Sequence, residues 1–197
     1  MKQISVYMKE PKVTVLGPGV RYGLWVQGCH RNCPGCVAGG SHRMEEGTSV
    51  PVGALALEIA LSGADGLTIS GGEPFLQAEA LGELIARVRS IRPMGVIVYT
   101  GYTYEALKKM PEAASLLKQT DLLIDGEYIQ ELDDGKSLRG SSNQRAIPLT
   151  DRYKDEAAQY GSGPRSTEYF YHGSQVHQVG IPVGASADQG NSTGKRG

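Results

Sequence analysis

Three cysteines, Cys29, Cys33 and Cys36, are the only ones among 197 residues, and all fall within Gly28-Cys29-His30-Arg31-Asn32-Cys33-Pro34-Gly35-Cys36. The spacing is C-x3-C-x2-C. Thiolates this close wrap one small metal centre, but three of them do not fill four ligand positions. A four-iron four-sulfur cluster is ordinarily held by four cysteines. Held by three, it leaves one iron open to a small molecule. Other readings fit the same residues. Zinc takes a tetrahedral Cys3His set, which His30 or His42 would complete. A cluster that only carries electrons, or three thiols with no metal, also satisfies the spacing.

A second constellation is Ser70-Gly71-Gly72-Glu73-Pro74, which follows the apolar run Gly66-Leu67-Thr68-Ile69. Such a run reads as a buried strand. Two glycines at its end let the backbone approach a ligand where a Cβ would collide. Glu73 and nearby backbone carbonyls would accept from a ligand ammonium group, and Pro74 stiffens the exit. Alone, this motif also describes an ordinary strand-to-helix turn. Its position one helix after the cysteine loop makes the pair specific. Thr100 and Tyr102 follow the run Val96-Ile97-Val98-Tyr99, and Asp125 follows Asp121-Leu122-Leu123-Ile124. Asp125 reads equally as a ligand for a cation or substrate amide and as a strand-end cap.

These residues need a scaffold that gathers distant loops. Arg21 to Gln27 has strand composition and delivers Cys29. Val52 to Ser62 reads as a buried helix ended by Gly63. Gln77 to Ser90 is the clearest amphipathic helix, with Leu81, Leu84, Ile85 and Val88 at i, i+3, i+4 and i+7. Thr103 caps a helix over Tyr104 to Lys109, and Pro111 to Gln119 adds another. Residues 1–16 read as one or two short strands, Val13-Thr14-Val15-Leu16 being the clearer. Residues 29–51 read as a long loop around the centre, and Gly126 to Arg145 as polar and irregular. Tyr169 to His172 and Val176 to Val179 form a hairpin about Gly173-Ser174, with His172 and His177 as surface histidines and Trp25 as a core residue.

Strands alternating with helices predict right-handed βαβ units and a parallel sheet. A complete barrel of eight units needs about 250 residues. Four or five units here predict an α/β fold, a partial, open (β/α) barrel. All the chemical residues follow strands, which places them together at the C-terminal edge of the sheet. Residues 1–183 read as a single domain. Residues 184–197, small and polar, read as a disordered tail.

Composition sets outer limits. Hydrophobic residues make up 40% and the net charge is −1, the profile of ordinary globular protein without the basic excess of a nucleic-acid binder. No apolar run approaches the ~20 residues of a membrane span. The N-terminus lacks a signal-peptide core. Three clustered cysteines in an unexported chain point to metal rather than disulfides. A cytoplasmic, reducing location is expected.

The motifs resemble those of the radical S-adenosylmethionine (SAM) enzymes. The chain is most similar to the anaerobic ribonucleotide reductase activating enzymes, a compact branch that activates glycyl radical enzymes. The likeness runs from about Gly17 to Leu149. It rests on Gly17-Pro18-Gly19-Val20-Arg21, Cys33-Pro34-Gly35-Cys36, Ser70 to Pro74, Tyr99-Thr100-Gly101-Tyr102-Thr103, Asp125-Gly126 and, most tellingly, Arg139-Gly140-Ser141-Ser142-Asn143-Gln144-Arg145. The resemblance implies that Cys29, Cys33 and Cys36 bind three irons of a 4Fe–4S cluster and that SAM chelates the fourth. Gly71, Gly72 and Glu73 would hold the methionine amino end, backbone near Gly35 would meet the adenine, and Thr100 or Tyr102 would line the ribose side, with Ser70, Pro74 and Asp125 also counted as cofactor-binding. It also implies reductive cleavage of SAM to a 5′-deoxyadenosyl radical, which takes a hydrogen atom from a glycine of a partner enzyme. A flavodoxin-like or ferredoxin-like donor would supply the electron. The loop after Cys36 lacks the aromatic residue and asparagine of the reductase activases, and the segment after Asp151 has no counterpart. That segment favours a second reading, a small radical SAM enzyme acting directly on a peptide or small molecule. A non-catalytic iron–sulfur or zinc module is a third reading, against which Gly71 to Pro74 argues.

Overall fold

The computed structural model describes residues 2–182. The expected tail at 184–197 lies outside the described residues. A seven-stranded sheet carries the fold, in the order β3-β1-β2-β4-β5-β6-β7. Its strands are β1 (Gln3–Val13), β2 (Arg21–Val26), β3 (Thr48–Pro51), β4 (Gly66–Gly71), β5 (Gly95–Tyr99), β6 (Leu122–Asp125) and β7 (Arg145–Pro148). The strands β2, β4, β5 and β6 run parallel, as the alternation predicts. Antiparallel strands flank them on both sides, β1 and β3 at one edge and β7 at the other. The result is a mixed α/β fold consistent with a partial barrel.

Strand alternation divides the sheet into two faces. Leu67 and Ile69 of β4, Val96 and Val98 of β5, and Leu123 of β6 point to the outer layer of helices. That layer comprises α1 (Val52–Leu61), α2 (Ala78–Ile91), α3 (Tyr104–Leu107) and α4 (Ala114–Leu117). Leu81, Leu84, Ile85 and Val88 of α2 are all fully buried or nearly so, as their spacing predicts. Each such side chain contributes about 1.5–3 kcal/mol of transfer free energy.

The opposite, inner face is more polar. Arg21 lies there with no exposure, donating to Thr68 Oγ1 (2.9 Å), Leu67 O (2.6 Å) and Tyr153 Oη (2.6 Å). Its guanidinium takes the place of side chains that would otherwise fill the barrel interior. After β7, α5 (Lys154–Gln159) and a hairpin of β8 (Thr167–His172) and β9 (Gln175–Gly180) complete the described chain. The hairpin turn falls at Gly173-Ser174, as expected.

Three expectations need correction. The clearer strand near the start is not Val13 to Leu16. The strand is Gln3–Val13, with irregularities at Val6/Met8 and Glu10/Val13. Pro11, which has no N–H to donate, falls in the second of these, where a strand tolerates it. Thr14 leaves the sheet instead, giving its N–H (2.9 Å) and hydroxyl (2.6 Å) to Glu168 of β8. The loop at residues 29–51 contains β3, paired with the start of β1. Arg145, expected at the end of an irregular stretch, opens β7 opposite Asp125.

Candidate active site

The C-terminal ends of the four parallel strands build the site. β2 leads through Gln27-Gly28 into the cysteine loop. Two backbone bonds pin that entry: Gly28 N donates to Ser41 O (2.8 Å) and Cys29 N to His42 O (2.9 Å). Between them the loop folds on itself through Cys36 N to Cys33 O and Gly39 N to Cys36 O. The three thiols are free and half-buried.

The turn after β4 lies directly against this loop. An ideal Cβ at Gly71, whose φ is 100°, would sit 2.5 Å from Val26 N and 2.8 Å from Trp25 C. One at Gly72 would run into the Gly28 carbonyl oxygen, with Gly28 C at 2.7 Å. Glu73 N closes the contact by donating to Gly28 O (2.8 Å). The space that the sequence reserves for close approach is therefore filled first by protein backbone.

Glu73 is 1% exposed, yet its carboxylate is fully employed. Oε1 accepts from Phe75 N (3.0 Å) and Thr100 Oγ1 (2.8 Å), and Oε2 from Gly101 N (2.9 Å). Burial pushes its pKa up, and these three donors hold it back. Thr100 in turn accepts from Tyr102 N (3.1 Å). One carboxylate thus locks the ends of β4 and β5 together.

A cavity of about 520 Å³ opens above these ends, within the range of small-molecule sites. Cys29, Cys33, Gly35 and Cys36 line it on one side, and Ser70, Gly71, Gly72, Glu73 and Thr100 on another. Pro74, Tyr102 and Asp125 do not line it. Pro74 is buried in the short 3-10 turn Pro74–Gln77. Tyr102 shares a hydrogen bond with His30 Nε2 (3.1 Å), and the Arg31 guanidinium lies 4.5 Å from its ring centroid. Asp125, with no exposure, accepts from Tyr104 N (2.7 Å) and Arg145 Nε (3.0 Å). Its carboxylate serves the start of α3 and the first residue of β7.

Part of the wall was not legible in the sequence. Pro164, Arg165, Ser166, Gly180 and Ile181 line the same cavity, although they flank the hairpin far down the chain. Arg31 also lines it, and its Nε is buried without a hydrogen-bond partner. Leu138, Gly140 and Gln144 add the distinctive run before β7. Only that run and Arg31 carried any signal in the sequence.

The spread of the three sulfurs bears on the metal they would hold. Tetrahedral zinc, with Zn–S near 2.3 Å, holds its sulfurs about 3.8 Å apart. Among the described residues, no group of three ligand atoms drawn from Cys29, Cys33 and Cys36 lies within 4.8 Å of one another. The wider spread suits a multi-iron cluster. Burial raises all three thiol pKa values, and that of Cys33 is pushed up to about 11, with the Glu127 carboxylate 3.5 Å away adding to the rise. The metal-free loop therefore carries thiols, and metal binding must displace their protons.

Comparison with known proteins agrees with this geometry. The family model described as a 4Fe-4S single cluster domain matches residues 15–147. An anaerobic ribonucleoside-triphosphate reductase-activating protein of Enterobacteria phage T4 is 35% identical over 143 residues, covering 70% of this chain and 89% of the relative. Proteins of the same name from Vibrio cholerae (35%) and Escherichia coli K12 (33%) each align with 68% of this chain, and with 91% and 92% of their own lengths. The chain belongs to this activating-protein family. It is an iron–sulfur enzyme of the radical SAM type, and its cofactors are a 4Fe–4S cluster and SAM. The family match ends at residue 147, so the segment walling the far side of the cavity lies beyond it.

Proposed function

We propose that this chain activates an anaerobic ribonucleoside-triphosphate reductase by generating a glycyl radical on it. Bound there, a 4Fe–4S cluster and SAM would supply one-electron reductive chemistry, by which a hydrogen atom would be taken from a glycine Cα of the partner. The chain's own residues do the rest. Cys29, Cys33 and Cys36 would hold the cluster, and the Gly71-Gly72-Glu73 turn forms the adjoining floor of the cavity. Glu73 holds that floor rigid through Thr100 and Gly101. Ser70 and Gly35 line the same cavity, which supports counting both as cofactor-binding. Arg31, within the cluster loop, is paired through Nη1 with Glu127 (3.3 Å) but keeps a buried Nε without a partner, suited to an anionic group.

The observation that carries this reading is the meeting of the cysteine loop and the Ser70 to Glu73 turn in one cavity. A flavodoxin-like or ferredoxin-like protein is the proposed electron donor. The half-buried cysteines support that, since they place a cluster near the surface. A reducing, cytoplasmic setting is proposed because the cysteines are free and the cluster is oxygen-labile. No described helix is long and apolar enough to cross a membrane.

The test is anaerobic. The chain is reconstituted with iron and sulfide, reduced, and given SAM and an anaerobic reductase. Formation of 5′-deoxyadenosine, a glycyl radical signal by electron paramagnetic resonance, and loss of both in Cys33→Ala are expected. Nucleoside formation without a glycyl radical on the reductase would favour the second reading, direct action on a peptide or small molecule. The added cavity wall of Pro164 to Ser166 and Gly180 to Ile181 supports that alternative.

A further inference from the structure

The hairpin histidines are not idle surface residues. His172 Nε2 and His177 Nδ1 both reach Glu10 Oε1, at 2.7 and 2.6 Å. The three ligand atoms lie within 4.8 Å of one another. None of the three residues falls within the family match at 15–147.

Hairpin register explains how the histidines meet. Phe170 pairs with His177, and His172 with Gln175, so both imidazoles share one face with Phe170 and Val179. That face is turned onto the inner side of the sheet. Val179 packs with Val13, Leu16 and Trp25, and Phe170 joins the same cluster. Glu168 is fastened to Thr14. With the hairpin anchored there, its histidines come down on Glu10 of β1.

The charge balance at this point is unusual. Glu10 is 1% exposed and, among the described residues, has no lysine or arginine partner. A carboxylate buried without a cation costs several kcal/mol. Two imidazoles and one carboxylate are the donor set of many zinc and related sites. In such a site, ligand atoms bonded at about 2.0–2.2 Å stand about 3.3 Å apart. Opening the present spacing by about 0.7 Å, within reach of side-chain rotation, would admit the ion. The His172 side chain is half exposed, which leaves a side for water.

We propose that Glu10, His172 and His177 bind a divalent transition-metal ion of the zinc class, separate from the cluster. The ion clasps the C-terminal hairpin to the first strand. Because β9 runs straight into Gly180 and Ile181, the clasp also sets the far wall of the cavity. The proposal does not depend on the identity of the partner enzyme.

The test uses the full-length chain with its 4Fe–4S cluster in place, so that iron occupies the cysteines, and Zn2+ as the probe. After dialysis against Zn2+ under anaerobic conditions, one zinc per chain is expected. Zinc-edge X-ray absorption should show nitrogen and oxygen neighbours at about 2.0–2.2 Å and no sulfur near 2.3 Å. His172→Ala should weaken binding at least ~10-fold, with iron content unchanged. Absence of zinc after dialysis, a sulfur shell, or equal retention by folded His172→Ala would each overturn the assignment. The native spectrum alone decides the matter if the variant does not fold.

Discussion

Replacing Gly72 with alanine should disable the site without touching a ligand. The added Cβ would overlap the Gly28 carbonyl oxygen and lie 2.7 Å from Gly28 C and 3.0 Å from Gly28 N. All three are backbone atoms, so no side chain can swing aside. Relief requires the Gly28 peptide to retreat, which lengthens the Glu73 N to Gly28 O bond, now 2.8 Å. Losing a buried backbone hydrogen bond costs about 1–3 kcal/mol. Overpacking adds about 1–3 kcal/mol. The sum, about 2–6 kcal/mol, is a large share of the ~5–15 kcal/mol that stabilises a typical domain. Gly28 is bonded to Cys29, so the displacement passes directly to the first cluster ligand. Gly39→Ala is the matched control, because a Cβ there meets nothing within 4 Å. Urea denaturation should show the loss in Gly72→Ala only. Iron and sulfide per chain after reconstitution should fall with it. A Gly72→Ala protein of native stability and full cluster content would refute the claim that the two loops are in contact through bare backbone.

Three further outcomes are expected. Glu73→Gln retains the volume but turns one acceptor into a donor facing Gly101 N or the Phe75–Thr100 pair; a net loss of about 1 kcal/mol or more in urea unfolding is expected, with a raised KM for SAM. Asp133→Asn strips the carboxylate from Arg165, whose side chain is 1% exposed, and should cost about 3 kcal/mol, read by denaturation. Burial raises the Asp133 pKa, but the Arg165 guanidinium and Gly135 N–H outweigh it and leave it below the usual carboxylate value. The stabilisation is therefore present above about pH 4 and lost as pH falls through the folded-state value, so native and variant curves should converge in acid. Glu127→Gln removes the charge beside Cys33, which should lower that thiol's pKa from about 11 and speed its alkylation by iodoacetamide in the metal-free chain at pH 8. An unchanged rate would show that Glu127 does not act on the thiol.

Local patterns in the sequence carried much of the site. The cysteine spacing, the Ser70 to Pro74 turn and the 3.6-residue period of α2 are each contained in one short segment, so their consequences could be read directly. What the sequence hid depended on distant pairing. β3 exists because Thr48 to Pro51 finds the start of β1, and β7 because Arg145 to Pro148 finds β6. Neither segment has a strong period of its own. The run Val13 to Leu16 has strand composition, but Thr14 is drawn off the sheet by Glu168, 154 residues away. Asp125 reads as a site residue from its strand-end position alone, while its actual neighbours, Tyr104 N and Arg145, emerge only once β7 is paired. His172 and His177 had no visible partner because Glu10 lies at the other end of the chain.

That last separation has a consequence for how the protein is made. His172 is 162 residues from Glu10, and the cavity wall runs from Thr14 to Ile181. During synthesis the cysteine loop leaves the ribosome early, with its strand β2 still lacking the parallel neighbour β4. The far wall is supplied only when nearly the whole described chain has emerged. Closing so long a loop adds only slowly to the entropic cost, but contacts this distant form late. A nascent chain therefore presents its thiols before it has a pocket to shelter them, and the β8–β9 hairpin, translated long after them, closes the room around the cluster.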